Sequence, residues 1–75
     1  MKEHYVVIRL DDQRYASRMT TSGWTDEAWL AAWFVNRAEA VAYAQEAAAT
    51  ALRWRGVDWD VRRLSEESMS MKFDT

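Results

Sequence analysis

Few side chains in this 75-residue chain have the chemistry for catalysis, and their spacing limits what they can do. The one histidine, His4, stands near the N-terminus in a strand-like run, and no Ser-His-Asp set can be assembled without it. A general base must lie within hydrogen-bond reach of the proton it takes and be oriented by a further group. A lone strand histidine reads instead as a rim or core residue. There is no cysteine, which excludes a thiolate nucleophile, a disulfide and a thiolate metal site. Asp58 and Asp60 flank Trp59 and project to one strand face. Their oxygens suit a magnesium ion, but no third ligand accompanies them, and a solvated face paired with an arginine such as Arg9 is the simpler reading. Asp11-Asp12 is explained by turn chemistry. The expectation is a chain with no catalytic residue, no metal and no cofactor, hence not an enzyme.

Arginine and tryptophan are the more informative residues. Eight of the ten basic residues are arginine. Arg53, Arg55, Arg62 and Arg63 gather near one helix end and along the last strand, where they would serve as phosphate contacts or as the outward charges of amphipathic elements. Acidic neighbours at 58, 60, 66 and 67 dilute the field, and the net charge of -2 argues against a nucleic-acid binder that works by bulk charge. The five tryptophans pose a volume problem. Each buried aromatic side chain removes about 150–250 Å² from water, and a domain this small buries only ~60% of its unfolded surface. Trp59 and Trp24 take core positions. Trp29, Trp33 and Trp54 exceed what so small a sheet can hide, so they either cap an open edge of the core or anchor an interface. Tryptophan is enriched at binding hot spots, and a two-fold homodimer is one outlet for such a patch.

The elements that must position these residues follow from periodicity. Residues 4–10 read as a strand, with His4, Val6, Ile8 and Leu10 on the more apolar face, expected to point to the core, and Tyr5, Val7 and Arg9 on the other. Asp11-Asp12-Gln13 turns the chain into a return strand over 14–19. The 20–31 stretch is a turn followed by either a short helix capped by Thr25 or an irregular connection. Residues 32–35 read as a short strand with Phe34 inward and Trp33 outward. Asn36 caps a long helix over 37–55, with Glu39 placed to complete a capping box, Val35 placed to staple to Ala40, and Gly56 as the left-handed terminator. Ala40, Val41, Ala44, Ala47, Ala48, Ala51 and Leu52 form one apolar stripe whose small side chains let the helix lie close to a sheet. Val57, Trp59 and Val61 alternate with Asp58, Asp60 and Arg62, the pattern of a half-buried strand. The tail over 65–75 is either an added edge strand, from the alternation of Met69, Met71 and Phe73, or a frayed terminus. The expected fold is α+β, a mainly antiparallel sheet of three to four strands with one helix on one face, in a single domain over 1–64.

Arg14-Tyr15, Trp24, Ala32-x-Phe34 and Asn36-x-x-Glu39-Ala40 before the helix resemble small proteins of phages and prophages, in which a hairpin precedes one helix and a final strand. The resemblance covers residues 4–64. Its motifs are packing and capping signatures, and Trp29-Leu30 departs from the pattern. It implies an accessory protein of a mobile element, of the kind that includes anti-CRISPR proteins, acting on a host protein. The alanine- and arginine-rich composition fits GC-rich coding. Absence of cysteine, of a secretory signal pattern and of a long apolar run points to the bacterial cytoplasm as the working location. The leading expectation is a protein-binding module anchored by Trp29, Trp33 and Trp54 with Arg37 at the rim. The alternative is a nucleic-acid-associated regulator using Arg53, Arg55, Arg62 and Arg63.

Overall fold

β1 (Glu3–Arg9) owes its central place to an unbroken apolar triplet, Val6-Val7-Ile8, all three fully buried. Successive strand residues point to opposite faces, so three consecutive buried residues require cover on both sides of the sheet. The computed structural model describes residues 3–65. β5 (Trp59–Ser65) pairs antiparallel with the whole of β1, from Glu3 opposite Ser65 to Arg9 opposite Trp59. The other edge of β1 is shared end to end. β2 (Arg14–Ala16) takes Ile8 and Arg9, and β4 (Trp33–Phe34) takes Tyr5 and Val6. β3 (Trp24–Thr25) lies outside β2. The fold is α+β, an antiparallel sheet of five strands with α1 (Arg37–Thr50) packed on one face. The possible edge strand in the tail lies outside the described residues.

The helix covers the face opposite to the one expected. Val7 and Tyr5 of β1 join Ala16, Trp24, Phe34, Val61, Ala40 and Ala44 in the main core. Val6 and Ile8 belong to a smaller cluster on the far face, closed by Ala31 with Tyr15 and Leu64 against it. Comparing the apolarity of the two faces cannot choose the helix side when both are buried. Leu10, counted with the core face, lies beyond the strand and is exposed. A 3₁₀ turn at Ala28–Leu30 leads the chain over this second face, held where the Ser17 hydroxyl donates to the Leu30 carbonyl at 2.7 Å. Thr25 does not cap a helix here. Its Oγ1 accepts from the Glu27 N–H in a local turn.

Helix α1 starts as expected and ends early. Asn36 Oδ1 accepts the Glu39 N–H at 2.9 Å, and the Asn36 amide in turn donates to the Glu39 carboxylate at 3.1 Å. Val35 does not staple the cap, because its side chain is exposed. The helix stops at Thr50, not at 55; Ala51 is extended, and a separate 3₁₀ turn spans Leu52–Trp54. This break lets the Trp54 indole fold against Trp24, with ring centroids 4.8 Å apart, and edge-on to Tyr43 at 6.0 Å. Burying such a ring is worth about 4–6 kcal/mol by area, against about 1 kcal/mol for each lost helical hydrogen bond. Gly56 does adopt the left-handed conformation, φ 71°, but it ends the 3₁₀ turn. Of the apolar stripe, Ala40 and Ala44 are fully buried, while Ala48 and Leu52 face outward.

Candidate protein-interaction surface

The tryptophans divide by element. Trp54, an interface candidate on volume grounds, is instead 6% exposed and belongs to the core. Trp24 is buried beside it, with the Arg9 guanidinium 4.6 Å over its ring. Trp59 is half-buried against the main core from the edge strand. Trp29 sits half-buried in the first 3₁₀ turn, where its Nε1–H donates to Glu27 at 3.0 Å.

Trp33 is different. β4 alternates, so Phe34 enters the main core against Tyr43 at 5.1 Å, and Trp33 emerges on the opposite face. There it is 51% exposed. Its ring leans on the His4 imidazole, centroids 4.4 Å apart and planes tilted by 52°. Val6 lies directly across the ladder from Trp33, and His4 from Leu64. The chain leaving β4 continues outward, with Val35 63% exposed and Arg37 exposed on the first turn of α1. Trp33, Val35 and Arg37 thus form an open stretch of chain flanking a buried phenylalanine. On the helix side of the same junction, the Arg18 guanidinium covers the rings of Tyr43 and Phe34 at 5.0 and 5.4 Å. His4 is packed beneath Trp33, with Nδ1 buried and without a protein hydrogen-bond partner among the described residues.

The arginines do not converge. β5 alternation sends Arg62 to the Trp33 face and Arg63 to the helix face. Arg62 donates to Gln13 Oε1 at 3.1 Å, and Arg63 pairs with Glu3 at 2.6 Å. The Arg53 side chain passes over Gly23, and Arg55 is exposed where the second 3₁₀ turn ends. Arg9 does not pair with Asp58 or Asp60, from which it is separated by the sheet. It is bound by Asp12 in the hairpin turn at 3.0 and 2.5 Å. Asp60 Oδ1 accepts the N–H of Val61. No group of three or more histidine, aspartate or glutamate residues is placed to hold a metal ion among the described residues. Among them, no helix is long and apolar enough to cross a membrane.

No family model, curated protein or solved structure matches this chain significantly.

Proposed function

We propose that this chain is a non-catalytic protein-binding module that engages its partner through Trp33, with Val35 and Arg37 at the margin. The observation that carries the reading is the half-open indole of Trp33, already braced against His4. A large aromatic side chain held in place before contact loses little conformational freedom on binding, and tryptophan dominates the energetics of many interfaces. The non-catalytic part is supported by His4, whose Nδ1 lies buried beneath that ring without a hydrogen-bond partner among the described residues. The partner to try first is a bacterial host-defence protein such as a CRISPR–Cas component, in keeping with the resemblance to phage accessory proteins, and the bacterial cytoplasm is where the two would meet.

Capture of host proteins on the tagged full chain, followed by mass spectrometry, identifies the partner. Trp33→Ala is expected to weaken that complex by about 2 kcal/mol or more while leaving thermal melting unchanged. Equal binding by the variant removes Trp33 as the anchor. Affinity that falls steeply with salt instead points to phosphate contacts and the arginines.

A further inference from the structure

Among the described residues β5 is paired along one edge only, by β1. In an antiparallel ladder, alternate residues turn their backbone groups to alternate edges. The Leu10 N–H donates to the Asp58 carbonyl at 2.9 Å. Asp58 therefore faces β1, and with it, by alternation, Asp60, Arg62 and Leu64. Trp59, Val61 and Arg63 aim their N–H and C=O groups at the open edge. There the Val61 N–H is met by the Asp60 carboxylate next to it, at 2.8 Å.

An edge whose outward backbone groups have no strand partner among the described residues is a template for another strand. We propose that β5 pairs antiparallel with β5 of a second copy, about a two-fold axis passing beside Val61, so that two chains share one continuous sheet. In a two-fold antiparallel pair the register is fixed by the residue that meets its own copy. Centring on Trp59 opposes Asp58 to Asp60. Centring on Asp60 opposes it to itself, and centring on Arg62 or Arg63 does the same with two guanidinium groups. Centring on Val61 removes every clash of sign. Asp60 then faces Arg62 of the second copy, twice, on the Trp33 side of the sheet. Trp59 faces Arg63 of the second copy, twice, on the helix side. Opposite charges directly across a ladder attract and like charges repel, and a guanidinium over an indole adds a cation–π contact.

The hydrogen-bond phase permits this register, as it permits any two-fold pairing of this edge, so the side-chain charges make the choice. This register pairs Trp59 with Arg63 and Val61 with itself, the three residues whose backbone groups point outward. Asp60 gives up the Val61 N–H to the second strand and takes Arg62 of the second copy in exchange. Asp60 and Arg62 are exposed in the single chain; among the described residues Arg62 has one side-chain bond to adjust, to Gln13, and Arg63 has its pair with Glu3.

The axis of such a pair runs perpendicular to the sheet, so both Trp33 side chains emerge on the same side. Five strand-to-strand gaps separate them, about 24 Å at the usual spacing. This consequence rests on the reading of Trp33 as an anchor; the dimer does not. A partner with two-fold symmetry, or with two equivalent sites at that distance, would be held by both anchors at once, which raises avidity without a new contact.

Sedimentation equilibrium of the full chain over a concentration series tests the pairing. The expected result is reversible association to twice the 8.8 kDa chain mass. Asp60→Arg alone opposes two arginines twice per dimer, and Arg62→Asp alone opposes two aspartates. Each is expected to weaken association by about tenfold or more, with the far-UV circular dichroism of the wild type. Combining both substitutions restores opposite charges in reversed order and is expected to restore association. A chain that stays monomeric because its own tail or nothing covers β5, single variants that associate as the wild type does, or a double variant that fails to recover each overturns the proposal.

Discussion

Asp12 joins a turn, an ion pair and the core. Its carboxylate accepts two hydrogen bonds from Arg9 and one from the Arg14 backbone N–H at 3.2 Å, which shapes the hairpin where Gln13 adopts a left-handed conformation, φ 61°. Arg9, held this way, covers the Trp24 ring. The hydrogen bond from Arg9 is the main cause that lowers the Asp12 pKa from 3.8 to about 2. The same bond raises that of Arg9. A carboxyl whose pKa is lower folded than unfolded stabilises the fold fully above the unfolded value and loses that contribution as pH falls through the folded one. The melting temperature should therefore fall between pH 3.8 and about 2, in part through Asp12. Asp12→Asn should flatten that part of the acid limb, read by thermal melts across the window. The pair is exposed to solvent, so the effect should be small and should shrink in salt.

At the scale of the element, α1 shows how little of an apolar stripe needs to be buried. Ala40 and Ala44 lie one turn apart against β1 and β4, and only side chains of that size admit the close approach. Ala44→Leu should overpack that contact and destabilise by roughly 1–3 kcal/mol. Ala48, expected in the same contact, faces solvent, and Ala48→Leu should change stability by no more than about 0.5 kcal/mol. Urea denaturation of the two variants side by side checks the assignment of the helix face. Equal losses in both would mean that the helix is rotated from the packing described. The early end of α1 belongs to this scale too. No glycine or proline interrupts 37–55, so nothing local marks the break at Ala51.

At the scale of the whole molecule, stability depends on a few rings. Trp24, Trp54, Tyr43 and Phe34 form a connected aromatic layer under α1. Truncating Trp54 to alanine should cost about 3–5 kcal/mol, close to the whole stability of a domain this small, on the order of 5 kcal/mol. Trp54→Ala is accordingly expected to lose cooperative unfolding, read by near-UV circular dichroism and thermal melting. Trp33→Ala, on the opposite face, is expected to melt as the wild type does. The contrast separates the tryptophan that holds the fold from the one proposed to bind. If Trp54→Ala melts normally, the aromatic layer is not the main support of the core.

The sequence by itself determined the antiparallel α+β plan, the Asn36 cap, the hairpin turn at Asp12 and the inward Phe34 with outward Trp33. Each rests on local chemistry: a side-chain oxygen near backbone N–H groups, or strand alternation read over two residues. The buried triplet Val6-Val7-Ile8 also carried a legible signal for a strand covered on both faces, though not for which face takes the helix. Only the tertiary structure decided that side, the break at Ala51, the burial of Trp54 and the separation of Arg62 from Arg63 across the sheet. These depend on what lies opposite a residue in space. Five indoles are more than a thin core hides easily, but one sequence cannot say which ring wins the space. Trp54 wins it because a break in its helix lets it reach Trp24, and Trp33 stays open because its own neighbour, Phe34, has taken the inward place.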